Sequence, residues 1–476
     1  MYIRAMSKHK IFPFCPFLLL FALLLGSCAD EELVSGRGND QIPVSFNSYL
    51  RNAATRATYP GGGTGLLTTD RMKQGSGFGV YTAYTGRETF TWNGAETGKK
   101  AFNFMWNEQV TWDDNLTGAV TQWVYDPLKY WPNDNQPADD QNNDTGNDPA
   151  MGQSSATGQH DLLSFYAYAP WTNDATLPSS PSADDDGIVA MSDKGATAAE
   201  TALTYRLAAS HKAADCIDLL WSTQPNRWKL DGAGYTTGTV DFQFIHALSR
   251  LKALVRTVVD AATPGDSFDG YEDAVDKNSR VLIKSVSISA TPGFYTEGKM
   301  HLVPRPDHAL IPYWTDFGGQ NGTLSFAPGD LNPVLWTSGQ PADKPTAEEA
   351  AEVLALLNTG VVSEDQNLFE NEESSYLFLP TSSPVTLTVR VVYDVVTFDP
   401  SLTLNAPKYF HIVENDISST AAQTISFEPN KVYTLRLLLG LTTVKFEVDV
   451  DDWAVPLQLD GVVTPWGEQT KEANVE

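Results

Sequence analysis

The feature that most constrains this chain is a run of strict alternation between residues 385 and 395. Val385, Leu387, Val389, Val391, Tyr393 and Val395 fall on one face of an extended strand, and Thr386, Thr388, Arg390 and Asp394 fall on the other. Side chains alternate across a strand, so one face of this run is apolar and the other meets water. Antiparallel sheets that pack in pairs need strands of this kind, whereas a parallel sheet covered on both faces does not. Val444, Phe446, Val448 and Val450 alternate with Lys445, Glu447 and Asp449 in the same way, and Val240, Phe242 and Phe244 with Asp241 and Gln243. Phe78–Tyr84 and Leu163–Ala169 are short aromatic strand candidates, the second stopped by Pro170, which cannot donate to a ladder. Helices are few. Thr346-Ala347-Glu348-Glu349 is a capping box opening a helix over Glu349–Leu357, and a second short helix is expected over Ala208–Asp215. The expected class is all-β: antiparallel sandwiches with a few short helices.

Two such bodies are expected in 476 residues. A polar, proline- and acid-containing stretch over residues 261–280 separates two strand-rich halves, 57–260 and 281–453, and is read as the linker. A second polar stretch, Asn133–His160, reads as a long solvated loop.

The first sixty residues read as an address. Arg4, Lys8 and Lys10 precede an apolar run over Ile11–Leu25 that Pro13 and Pro16 interrupt. A membrane span needs about 20 apolar residues, so a cleaved leader over residues 1–27 is the better fit. Leu25-Gly26-Ser27-Cys28 resembles the bacterial lipobox, which implies cleavage between Ser27 and Cys28 and a lipid on the Cys28 thiol. Asp30, Glu31 and Glu32 then resemble the acidic export signal of surface lipoproteins of Bacteroidota. Lipid on Cys28 is the expected membrane attachment. Without the leader the formal charge moves from −27 to −30, which makes nucleic acid and anionic membrane poor partners. Cys15 and Cys28 belong to the leader and the anchor, so Cys216 is left as a buried thiol and the cores must hold the body together.

Little in the chain points to chemistry. The seven histidines are scattered, and no His-Glu-x-x-His, Cys-x-x-Cys, Gly-x-Ser-x-Gly or phosphate-binding Gly-rich loop occurs. Asp140, Asn142, Asp144 and Asp148 alternate as calcium ligands would. Glycine falls one place late, however, and Met151 replaces the bidentate Glu, so a plain loop is expected. His246 is read as a core or turn residue. Trp92, Trp106, Trp112, Trp123 and Trp131 are read as core packing before any sugar platform. No catalytic residue, metal or cofactor is assigned, and the chain is not expected to be an enzyme.

Several stretches, in order, resemble the fimbrillin family of Bacteroidales. These are Tyr130-Trp131-Pro132, Leu163–Pro170, Asp218-Leu219-Leu220-Trp221 and Phe242–Leu251, then Tyr376–Pro380, Tyr433-Thr434-Leu435 and Val444-Lys445-Phe446 leading to Asp452-Trp453. The resemblance implies two transthyretin-like β-sandwich domains in a type V pilus subunit, delivered to the outer membrane as a lipoprotein. It also implies that an arginine-specific protease removes an N-terminal strand and that a strand from another fimbrial subunit replaces it. Carried onto this chain, residues 28–56 are a propeptide containing the strand Ile42–Phe46, cut between Arg56 and Ala57, with Arg37, Arg51 and Arg71 as rival cut sites. Residues 454–476 are the candidate donor, with Val455, Leu457, Leu459, Val462 and Val463 as its apolar residues, although Pro456 and Pro465 interrupt it. The adhesion ligand on a host or bacterial surface is not legible. The alternative is a surface glycan-binding lipoprotein of a polysaccharide-uptake system, which needs the tether kept and an exposed aromatic platform.

Overall fold

The computed structural model describes residues 42–50, 64–86, 88–90, 100–116, 121–132, 161–177, 179–182, 185–229, 238–257, 279–305, 311–326, 360–369, 371, 374–381, 383–398, 410–421 and 424–453. In chain order the strands begin with β1 (Ser45–Leu50), β2 (Phe78–Gly86), β3 (Met105–Trp112), β4 (Trp123–Val124), β5 (Leu162–Ala169), β6 (Gly187–Met191) and β7 (Ala202–Arg206). β8 (Leu220–Arg227), β9 (Thr239–His246), β10 (Ser249–Thr257), β11 (Ser279–His301) and β12 (Tyr313–Ser325) follow. β13 (Gln366–Asn367), β14 (Tyr376–Phe378), β15 (Thr386–Phe398), β16 (Phe410–Thr420), β17 (Lys431–Leu439) and β18 (Val444–Asp452) complete the set. Among the described residues the α-helix is one short element, α1 (Thr69–Gln74), whose first turn is capped by Thr68 Oγ1 accepting from Arg71 N at 3.2 Å.

The first body closes on itself in the order β1-β4-β3-β2-β5-β8-β9, with β9 returning to β1. Its neighbours pair antiparallel except at one seam, where β1 lies parallel to β9 from Ser45↔Thr239 to Leu50↔Phe244. The interior is aromatic: Phe46, Phe78, Phe165, Phe242 and Phe244 are fully buried beside Trp123 and Trp131. The alternation read over 240–244 holds here, with Val240, Phe242 and Phe244 inward. β5 is different, because all of its residues are buried. Its Leu163, Phe165 and Ala167 face the ring interior, while Tyr166 and Tyr168 face a second core between the bodies.

The second body stacks two sheets. One runs β13-β10-β17-β18, with β14 also on β10; the other runs β16-β15-β11-β7-β6, with β12 also on β11. Their inner faces meet through Leu251, Val255, Ile283, Ile288, Leu387, Val389, Val391, Leu435 and Leu437. β15 matches its sequence pattern: Leu387, Val389, Val391 and Tyr393 are fully buried, and Arg390 faces out onto Asp416 of β16. β18 follows its pattern only at the start, since Val444 is buried while Val450 at the far end is 51% exposed. β10 pairs in parallel with β17 from Arg250↔Val432 to Thr257↔Leu439, so the chain, which already lent β6 and β7 to the second body, returns to it after Ala247–Leu248. The expected linker over 261–280 lies outside the described residues except for Ser279 and Arg280, which begin β11. The expected helix over Glu349–Leu357 and the loop Asn133–His160 lie outside them as well.

The helix expected over Ala208–Asp215 does not form. His211 stands in the left-handed region at φ 57, and the segment turns so that Lys212 bridges to Tyr376 of β14. The His211 imidazole is buried between the Phe294 and Phe378 rings. Its Nδ1 donates to the Leu377 carbonyl at 3.0 Å, and its Nε2 has no partner among the described residues. Burial lowers its pKa from the ordinary 6.5 to about 4. The unfolded chain therefore takes up a proton below pH 6.5 that the folded chain refuses, so stability falls as pH drops toward 4. His211→Asn keeps a residue tolerant of positive φ and removes the titration. The variant is expected to lose about 3 kcal/mol less than the parent between pH 7 and pH 4, measured by urea unfolding at both. Equal losses would show that His211 is protonated in the folded state.

Candidate functional site: the seat of the first strand

β1 is the element on which closure of the first body depends. It is joined to β9 along its whole length and touches β4 at Phe46↔Trp123, so it spans the gap between two strands that do not pair with each other. No hairpin ties it to either neighbour: β9 is 194 residues downstream at each paired position. A parallel pair needs a crossover connection, and here the intervening chain is most of the first body.

The seat is built from both sides. Ser45 Oγ lies 2.7 Å from Thr239 Oγ1, and Asn47 Nδ2 donates to Asp241 Oδ1 at 3.0 Å. From the other side the Thr121 hydroxyl donates to the Phe46 carbonyl at 2.5 Å and the Tyr125 hydroxyl to the Val44 carbonyl at 2.8 Å. Val44 N donates to the Lys129 carbonyl, and Trp131 N to the Ile42 carbonyl. Gly238 occupies φ +59 at the mouth of the seat, and its carbonyl accepts from Ser45 N and Trp131 Nε1. A Cβ there would stand 2.5 Å from Ile42 Cγ2 and 2.7 Å from Trp131 Nε1, so only glycine fits. Burial of the Tyr125 ring raises its hydroxyl pKa, which keeps it a donor across the neutral range.

The inward face of β1 is the anchor. Val44 and Phe46 are fully buried. The Phe46 ring stacks on Phe242 at 5.7 Å and 22°, and meets Phe78, Phe165 and Tyr125 at 6.3, 5.9 and 5.3 Å. The next inward position is Ser48, in register with Phe242, and its hydroxyl is shut from solvent without a partner among the described residues.

The sequence placed the removable strand at Ile42–Phe46, whereas the structure runs it from Ser45 to Leu50, with Pro43 forming only a bridge to Tyr130. The inward serine hid the second half, because a polar residue at Ser48 ends the apparent alternation. Ser27, Cys28, Arg56, Ala57 and the tail residues Val455, Leu457, Leu459, Val462 and Val463 all lie outside the described residues, as do Arg37 and Arg51. Of the rival cut sites, Arg71 is in α1, 8% exposed, with Nη1 donating to the Leu66 carbonyl at 2.6 Å, which shields it from a protease. Cys216 is buried, and burial pushes its thiol up to about 12. Trp123 and Trp131 are core residues; Trp106 and Trp112 are half-buried, with edge-on contacts to Tyr81 and Trp123. Trp92 lies outside the described residues, and the other four form no exposed aromatic platform.

His246 was read as a core or turn residue, and it is buried at the junction of the bodies. Its Nδ1 lies 2.8 Å from Asp218 Oδ2 without hydrogen-bond alignment, and its ring stacks on Trp453 at 3.7 Å and 6°. Nothing in the sequence linked Asp218, His246 and Trp453, which come together only through the packing of β9 against the end of β18.

No family model matches the chain. The fimbrium subunit Fim1C of Phocaeicola vulgatus is 22% identical over 450 residues, covering 92% of this chain and 95% of that protein. The crystal structure of a fimbrial protein from Bacteroides vulgatus has the same fold, with a TM-score of 0.50 at 17% identity over 87% of this chain and 100% of that one. The likeness first drawn from ordered strand motifs thus extends over nearly the whole sequence and the fold, and the chain is similar throughout to fimbrial proteins of these two sources.

Proposed function

We propose that the chain is a structural subunit of a cell-surface fimbria and contributes to adhesion through the fibre it builds. In this reading it reaches the outer membrane as a lipoprotein attached through Cys28. A cut between Arg56 and Ala57 then detaches the lipid-bearing segment together with β1. The vacated seat between β9 and β4 takes an extended strand from a neighbouring subunit, and residues 454–476 are the segment offered in return. The observation that carries the reading is the seat itself. β1 completes the ring, is bound by ladder hydrogen bonds and two inward side chains, and is joined to the rest through residues 51–63 alone. Its loss bares the unpaired edge of β9 and an aromatic trough, and both are repaired by strand addition.

N-terminal sequencing of protein taken from the cell surface tests it. Fibre-associated protein is expected to begin at Ala57, and Arg56→Ala protein at Cys28, with the ladder of strand-exchanged oligomers lost. Cut protein that stays monomeric, together with unchanged assembly after deletion of 454–476, would overturn the proposal.

A further inference from the structure

β1 holds its seat with one position that does not fit. Val44 and Phe46 fill the first two inward places with apolar surface. Ser48 fills the third with a hydroxyl that faces Phe242, on which the Phe46 ring is also stacked. A buried hydroxyl without a partner weakens the element that carries it. Among the described residues nothing bonds it, and Val240, Phe242 and Phe244 are the inward residues of the neighbouring strand. The outward side chains of β1 behave differently: Ser45 and Asn47 both find partners on β9.

We infer that Ser48 is a deliberate weak point of the resident strand, and that the seat selects as its lasting occupant an extended strand with an apolar side chain at the place of Ser48. This rests on the strand-exchange reading above and names what drives the exchange. The resident and incoming strands make the same ladder hydrogen bonds, so backbone pairing gives neither an advantage. The difference lies in the inward side chains, and at the third position an aliphatic group gains burial and removes the stranded hydroxyl. The first two positions hold the strand well enough for the subunit to fold. The third ensures that it leaves once it is cut free.

The test compares two side chains of the same shape. Valine and threonine differ at this site by a methyl for a hydroxyl, so Ser48→Val against Ser48→Thr isolates the polar group from any change in packing volume. The full chain is cut with an arginine-specific protease and offered synthetic peptides covering residues 42–50 with Ser, Thr or Val at position 48. The valine peptide is expected to dwell about tenfold longer in the seat than the threonine peptide. Equal dwell times within twofold overturn the inference and leave strand exchange intact. If no peptide enters the cut chain, the exchange reading fails instead. In that case urea unfolding of the two intact variants still decides the role of Ser48: a higher midpoint for Ser48→Val than for Ser48→Thr supports it, and coincident midpoints refute it.

Discussion

Phe46→Ala is expected to lower the stability of the intact chain by about 3 to 5 kcal/mol, the range for removing a fully buried phenylalanine ring. The ring has no exposed surface and touches four other aromatic rings from three different strands and the segment after β4. Collapse into the space is limited, because Phe78 and Phe165 are each fixed in their own strands by ladder bonds. Most of the cost should therefore appear as an unfilled cavity. The loss should also be local. Amide exchange should quicken along β1 and at the residues of β9 paired to it, while β15 and β17 in the second body keep their protection. Urea unfolding with hydrogen exchange read by mass spectrometry checks both parts. A loss below 1 kcal/mol would mean that the ladder, not the ring, holds the strand.

The same contacts explain what the sequence could and could not show. β15 was legible because its inward residues are all apolar and its outward residues polar except Val392, so period two survives from Val385 to Tyr393. β9 was legible for the same reason. β1 was half legible, since Val44 and Phe46 announce it and Ser48 conceals the rest. The two parallel seams, β1 on β9 and β10 on β17, were not legible at all. Alternation gives a strand's faces but not its neighbours, and these pairings join segments separated by 194 and 182 residues. β5 was legible as a strand stopped by Pro170, but not as one buried on both faces, its tyrosines facing the core between the bodies. The failed helix at Ala208–Asp215 had adequate local propensity. His211 in the left-handed region and Lys212 N donating to Ser210 Oγ at 3.2 Å show tertiary docking overriding it.

Asp218→Ala is expected to be as damaging as Phe46→Ala, by about 3 to 5 kcal/mol, because it removes the acceptor of two buried amides, each costing about 1 to 3 kcal/mol when left unsatisfied. Asp218 is 1% exposed. Its Oδ2 accepts from Leu67 N at 2.9 Å and its Oδ1 from Leu219 N at 2.8 Å, so alanine strands two buried amides and also removes the carboxylate beside His246. The effect should not stay in the first body. His246 passes the constraint to Trp453 by stacking, and Trp453 N donates to the Asn430 carbonyl at 2.7 Å at the turn into β17. Arg250, from the start of β10, adds a cation over the same indole ring at 5.9 Å. The residue that precedes the candidate donor segment is thereby pinned to the first body through a carboxylate. Asp218→Asn keeps an acceptor for one amide and should cost less than alanine. A double-mutant cycle of Asp218→Ala with Trp453→Leu should give a coupling above about 0.5 kcal/mol, as expected for residues sharing a network. Additive losses would mean that Asp218 only fastens the Leu67 segment and does not couple the two bodies.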